Sequence, residues 1–199
     1  MKKITIIFVL LCVGFTANAQ EKFSFGLKAG TNFSWVIGAP SFELSPRVGF
    51  HFGVMSELSL SKRFSLQAEL LYSQQGGTRK QTIKSTAGSF TQSTEYHFDY
   101  VNLPILAKYY LTKGWSVEAG PQIGVLLSAS EKRNNTELDI RSRFEYVDFS
   151  AAFGTSYKFD NGLNLNARYH FSISSMINSS ARSPSFYNGV LQLSVGYFF

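Results

Sequence analysis

The sequence predicts an all-β fold: an eight-stranded antiparallel up-and-down transmembrane β-barrel with short periplasmic turns and long extracellular loops. Three observations predict it. Hydrophobicity alternates with period two over segments of about ten residues or more, longer than the usual strand of about five or six. Only 16% of the 199 residues are charged, while 44% are hydrophobic and 16% aromatic; an average soluble domain is about 25% charged. The connections between segments alternate between tight turns and long polar stretches, as barrel rims require.

The chain opens on an export signal. Lys2 and Lys3 precede an apolar run over residues 4–15, and Ala17-Asn18-Ala19 forms a small-x-small site. A cleaved signal peptide over 1–19 and an outer-membrane barrel domain over 20–199 are therefore expected. Cys12, the single cysteine, lies in the apolar run behind Leu11, where a lipoprotein signal needs a small residue. No lipid anchor is expected, and without a cysteine in the mature chain disulfides, thiol catalysis and thiolate metal sites fall away. The formal charge of +6 drops by two with Lys2 and Lys3, too mild a balance for a nucleic-acid partner. No later stretch approaches the roughly 18 apolar residues of a membrane-spanning helix.

Eight strands are expected, over 22–35, 47–60, 64–75, 96–111, 115–129, 144–159, 163–174 and 188–199. In the third, Phe64, Leu66, Ala68, Leu70 and Tyr72 share one face and Ser65, Gln67, Glu69 and Ser73 the other. The second alternates likewise, with Met55 and Ser56 out of phase. Ser61-Lys62-Arg63, Thr112-Lys113-Gly114 and Asp160-Asn161-Gly162 are the tight turns, and the last two end in a glycine suited to the left-handed position of a three-residue hairpin loop. Residues 36–46, 76–95, 130–143 and 175–187 are the long loops. Pairing Leu111 with Trp115 puts Lys108 opposite Glu118; pairing Phe159 with Leu163 puts Lys158 opposite Asn164 and Gly154 opposite Arg168.

Size decides which face points inward. Eighteen aromatics, among them Phe25, Trp35, Phe50, Phe52, Trp115, Phe153, Tyr157, Phe171 and Tyr197, fall on the apolar face, and an eight-stranded interior is only just wide enough for ordinary side chains. The apolar face is therefore expected against lipid. The opposite face alternates small residues such as Gly26, Gly53, Gly120 and Gly154 with Lys28, Arg47, Glu57, Glu69, Lys108, Glu118, Asp148, Lys158 and Arg168. Those nine are expected to form a structural charge network in a narrow, dry lumen that satisfies itself and conducts little, which describes a plugged barrel and not a porin.

Residues 100–111, YVNLPILAKYYL, resemble the fourth strand of the PorT-like outer-membrane β-barrel family, and Gly26, Lys28, Gly30 and Asn32 resemble its first-strand pattern G-x-K-x-G-x-N. The resemblance implies a membrane barrel over nearly the whole mature chain. It implies no ligand, although the named member of that family is linked to protein secretion. Tyr197 and Phe199 resemble the terminal signal by which the barrel-insertion machinery recognises its clients.

A structural or interaction barrel that works through its extracellular loops is the expected function, with a PorT-like accessory of secretion or transport as the alternative and a lipid-modifying outer-membrane enzyme ranked behind both. Arg79, Lys80 and Lys84 make the second loop basic, and Lys132 and Arg133 belong to the third. Such cations suit lipopolysaccharide phosphates or a protein partner outside the cell. The expected partners are thus outer-membrane lipid and lipopolysaccharide, the insertion machinery, and an extracellular or secretion-system protein. No cofactor, metal or catalytic residue is expected. His170-Phe171-Ser172 resembles the His-x-Ser of a lipid A deacylase, but parity turns both residues into the lumen, away from lipid. His51 and Glu57, six residues apart on one strand, stand about 20 Å apart and cannot share an ion.

Overall fold

A computed structural model describes residues 23–37, 45–85, 88–133, 136–174 and 187–199, with backbone alone at 36–37, 80–85 and 88–91. The expected signal peptide, parts of the loops near 36–46 and 175–187, and the side chains of Lys80 and Lys84 lie outside the described residues. The strands are β1 (Phe23–Ile37), β2 (Ser45–Ser59), β3 (Phe64–Ser85), β4 (Gly88–Tyr110), β5 (Trp115–Arg133), β6 (Thr136–Asp139), β7 (Val147–Lys158), β8 (Leu163–Ser172) and β9 (Tyr187–Phe198).

β1 meets both β2 and β9, each strand of the ring pairs antiparallel with two ring neighbours, and β6 is added beside β5, so eight strands close into a ring. Closure leaves no unpaired edge in the wall, which is the condition for a sheet to sit in hydrocarbon. Followed once round the ring, the register that starts at Ser34 and Val190 returns to β1 at Ser24, opposite Glu57. The strands are therefore staggered and tilted. The stagger brings residues of distant strands to one height inside the barrel.

The expected registers hold at both hairpins: Lys108 faces Glu118, Lys158 faces Asn164, and Gly154 faces Arg168. The turns themselves differ. Gly162 takes the left-handed conformation, with φ of 89°. Gly114 does not, contrary to expectation; its need for glycine is close approach, because a Cβ there would stand 2.6 Å from the Lys158 carbonyl oxygen. That turn is closed instead by Leu111 N–H donating to Trp115 O at 2.8 Å and by Trp115 N–H donating to Thr112 Oγ1 at 3.1 Å.

Two expected loops are largely strand. β3 and β4 remain paired from Phe64↔Tyr109 to Ser85↔Gly88, through the described residues of the segment read as a loop over 76–95. β5 continues to Arg133 and turns back as β6, with Arg133 opposite Thr136. The expected strand over 144–159 starts only at Val147, because residues 140–146 fold over the ring: Ile140 N–H donates to Ala129 O at 2.9 Å, and a single 3-10 turn covers Arg141–Arg143.

Burial sorts the two faces by parity. Phe25, Leu27, Phe50, Phe52, Val54, Leu70, Trp115, Phe153 and Val195 are exposed on the outside, while Lys28, His51, Glu69, Lys108, Glu118 and Arg168 are buried inside. An apolar outer wall around a charged interior is the reverse of a soluble domain and is what a bilayer selects. Met55, an apolar residue in phase with the polar face, is buried inside, where the space beside Gly26 and Gly196 receives its terminal methyl.

Candidate functional site

The lumen is a stack of side-chain layers. At mid-height, Arg168 of β8 donates from both terminal nitrogens to the two oxygens of Glu69, at 2.7 and 2.8 Å, and from Nε to Glu118 at 2.6 Å. Lys28 of β1 donates to both Glu69 oxygens at 3.3 Å and to Asn166 Oδ1 at 3.1 Å, while Asn166 donates onward to Glu118 at 2.8 Å. Two cations and two carboxylates thus neutralise each other, with a planar guanidinium matched to a carboxylate in the bidentate geometry.

The register explains how Glu118 and Arg168 meet, although a strand stands between them. Glu118 faces Gly154 on β7, and Gly154 faces Arg168 on β8. A side chain at Gly154 would occupy the place where the two charges touch; its Cβ would sit 2.9 Å from Arg168 Cα.

Nearer the short-turn end, Glu57 accepts from Lys108 at 3.3 Å and from Tyr110 Oη at 2.5 Å, with Lys158 at 3.7 Å. Gln67 joins this group to the middle layer: its Oε1 accepts from Lys108 at 2.9 Å and its amide donates to Glu69. Lys108 thus pairs with Gln67 of β3 and Glu57 of β2 rather than with Glu118, the residue opposite it in register. Phe198, which alternates inward between outward-facing Tyr197 and Phe199, lies under Lys158 with 4.1 Å from ammonium to ring centre.

Above the charges sits a neutral web. His51 Nδ1 bonds Asn32 Oδ1 and His51 Nε2 bonds Ser194 Oγ, each at 2.8 Å. Gln192 donates to the same Asn32 oxygen at 3.0 Å and accepts from His170 Nε2 at 2.8 Å. Since Asn32 Oδ1 is an acceptor, His51 must donate from Nδ1, and its Nε2 accepts from the serine hydroxyl when neutral. His170 and Ser172 are both buried on the lumen side.

Two of the nine expected charges stand apart from the ion pairs. Arg47 donates to the Gln75 carbonyl at 2.8 Å and bonds His97 Nδ1 at 2.9 Å, and Asp148 accepts from Ser174 at 3.3 Å. Both lie towards the long-loop end, above the web, out of reach of the opposite charges lower in the stack.

Sequence reasoning missed the apolar part of the interior. Phe98, Tyr100, Leu126, Ala129 and Ile140 form a buried cluster joined by Tyr96 and Phe144. A register shift beside Tyr100 and Leu126 leaves Leu127 without a β4 partner, so Leu126 and Ala129 both turn inward. Parity carried the signal: Phe98 and Tyr100 are in phase with Asn102, Leu106 and Lys108. Ile140 reaches the cluster only through the fold-back of 140–146.

The basic loop residues take different places. Arg79 lies on β3 beyond the end of its pairing with β2 at Thr78. Lys132 and Arg133 lie at the end of β5, where Arg133 donates to Gln92 of β4. The structure brings these two strand ends into one sheet, because β4 pairs with both: Arg79↔Thr94 and Thr94↔Arg133.

Residues 18–178 match the family described as outer membrane protein beta-barrel domain. No curated protein matches the chain. Among solved structures, the chain is similar to the attachment invasion locus protein Ail of Yersinia pestis, at 12% identity and a TM-score of 0.53, over 89% of this chain and 99% of that one. It is also similar to Neisserial surface protein A, at 12% identity and a TM-score of 0.57, over 88% and 97% of the two chains. At such identity the likeness is one of fold, and both relatives share the small closed barrel. With an apolar outer wall, a closed ring of eight strands and a family match over most of its length, the chain belongs to the outer membrane protein β-barrel domain family and is an outer-membrane protein.

Proposed function

We propose that this protein is a plugged, non-catalytic barrel that acts at the cell surface through the sheet it raises above the membrane. One observation carries the reading. β3 and β4 run for 22 and 23 residues, whereas a tilted strand crosses the bilayer in about 9–11. The excess, about 40 Å along each strand, stands outside as a paired ribbon, braced by the upper end of β5 and by β6. The tight turns, by contrast, barely clear the other rim.

The lumen supports the same reading. The ion-paired layer, the histidine–amide web and the apolar cluster fill successive heights, so a solute has no continuous polar path. Arg79 and Arg133, with Lys80 and Lys84 on the same ribbon sequence, are the cations that suit lipopolysaccharide phosphates or an acidic surface partner, while Lys132 stands between Glu95 and Glu137 in register. Of the residues that carry the PorT-like resemblance, Gly26, Lys28, Gly30, Asn32, Tyr100, Pro104 and Lys108 have lumen parity, whereas Leu103, Ile105 and Tyr109 face outward. They account for how the barrel packs and identify no secretion partner.

Shortening the ribbon tests the proposal. Replacing residues 79–94 by Asn-Gly cuts between paired positions and leaves Thr78 facing Glu95. The shortened barrel is expected to keep a folded band that shifts on boiling, and to lose salt-sensitive binding to vesicles containing lipopolysaccharide. Unchanged binding with the ribbon gone would overturn the role assigned to it.

A further inference from the structure

At its periplasmic mouth the barrel opens into a vestibule of about 840 Å³ lined by Glu57, Lys62, Tyr110, Lys113, Lys158 and Asp160, among others. That volume lies in the range of small-molecule sites, about 300–1,000 Å³. Its charge does not balance. Lys113 is matched by Asp160 at 3.0 Å. Glu57 then serves two ammonium groups, Lys108 at 3.3 Å and Lys158 at 3.7 Å, while also accepting from Tyr110. Lys62, on the β2–β3 turn, adds a further positive charge.

Around Arg168 two cations meet two carboxylates in the dry interior, as burial demands. The surplus sits only where water and solutes reach: the Lys158 side chain is 27% exposed, against 1% for Lys108. Lys158 makes the longer of the two contacts to Glu57, and the Phe198 ring beneath it holds its ammonium at the floor of the vestibule by cation–π attraction. A compact anion entering from the periplasm meets Lys158 and Lys62 as point charges, with apolar Leu60 and Phe159 beside them.

We propose that this vestibule binds a phosphate-bearing anion, presented either by a periplasmic solute or by the headgroup of a lipid in the periplasmic leaflet. The site is separate from the extracellular sheet and does not depend on what that sheet binds.

The test uses the folded full-length barrel, isotope-labelled, in a maltoside micelle free of phosphate. Titration with inorganic phosphate at constant ionic strength, against chloride, is expected to shift the amides of Tyr110, Lys158, Phe159 and Phe198 saturably. Lys158→Gln is expected to weaken the effect at least tenfold, Lys62→Gln to weaken it less, and Arg143→Gln, at the far end of the barrel, to leave it unchanged. Lys62 lies on an exposed turn, so that variant remains informative if Lys158→Gln fails to fold. The same shifts produced by phosphatidylglycerol in nanodiscs, and not by phosphatidylcholine, identify a lipid headgroup as the source. Absence of vestibule shifts with both probes, or shifts that persist undiminished in Lys158→Gln and Lys62→Gln, would overturn the proposal.

Discussion

Arg168 shows most clearly what a single side chain does here. Its side chain is 0% exposed and it carries three hydrogen bonds to two carboxylates. Replacing it by Met leaves Glu69 and Glu118 buried with Lys28 as their remaining close cation. Removing one partner of a buried ionic group costs about 3–5 kcal/mol, and a loss of that size is expected in urea unfolding of the barrel in lipid vesicles. A loss of under about 1 kcal/mol would mean that water already screens the site. All nine expected charges could be placed on one face from the sequence, because alternation is a property of the strand backbone. Their partners could not be read. Lys108 meets Glu57, 51 residues away, and Arg168 meets Glu69, 99 residues away, and only closure and stagger of the ring bring those positions together. The inward aromatics Phe98, Tyr100 and Phe198 share that parity, yet composition had assigned the interior to polar residues.

At the scale of elements, the strands were legible as far as the membrane extends. Inside it the outer face must be apolar and the inner face small or polar, so the pattern is strong over 64–75 and 115–129. Beyond it hydrocarbon no longer sorts the two faces, the alternation in the sequence vanishes, and Gly76-Gly77 followed by polar residues reads as a loop. Backbone pairing continues regardless, which is why the described residues of 76–95 are strand. The same logic makes an outer-face test. Val54 is exposed on the wall between Phe52 and the β2–β3 turn. Val54→Arg is expected to cost about 2–4 kcal/mol if it meets mid-bilayer hydrocarbon, read from unfolding in the same vesicles. Free tolerance of Arg at this position would mean that the faces are assigned the wrong way round.

For the whole molecule, eight strands, three tight turns and an unbroken ring follow from features visible in the chain: the segment count, the alternation of short and long connections, and the narrowness that drives aromatics outward. What makes this barrel particular arises only on closure. The lumen is filled from the periplasmic side upward by the Glu57 group, the Arg168 layer, the His51–Asn32–Gln192–His170 web and the Phe98 cluster. This filling is the basis for proposing that the barrel works at its rims. The most direct measurement is single-channel recording of the refolded protein in planar bilayers. Insertion without stepwise conductance is the expected result, and stable open-channel steps in the unmodified protein would contradict a plugged lumen.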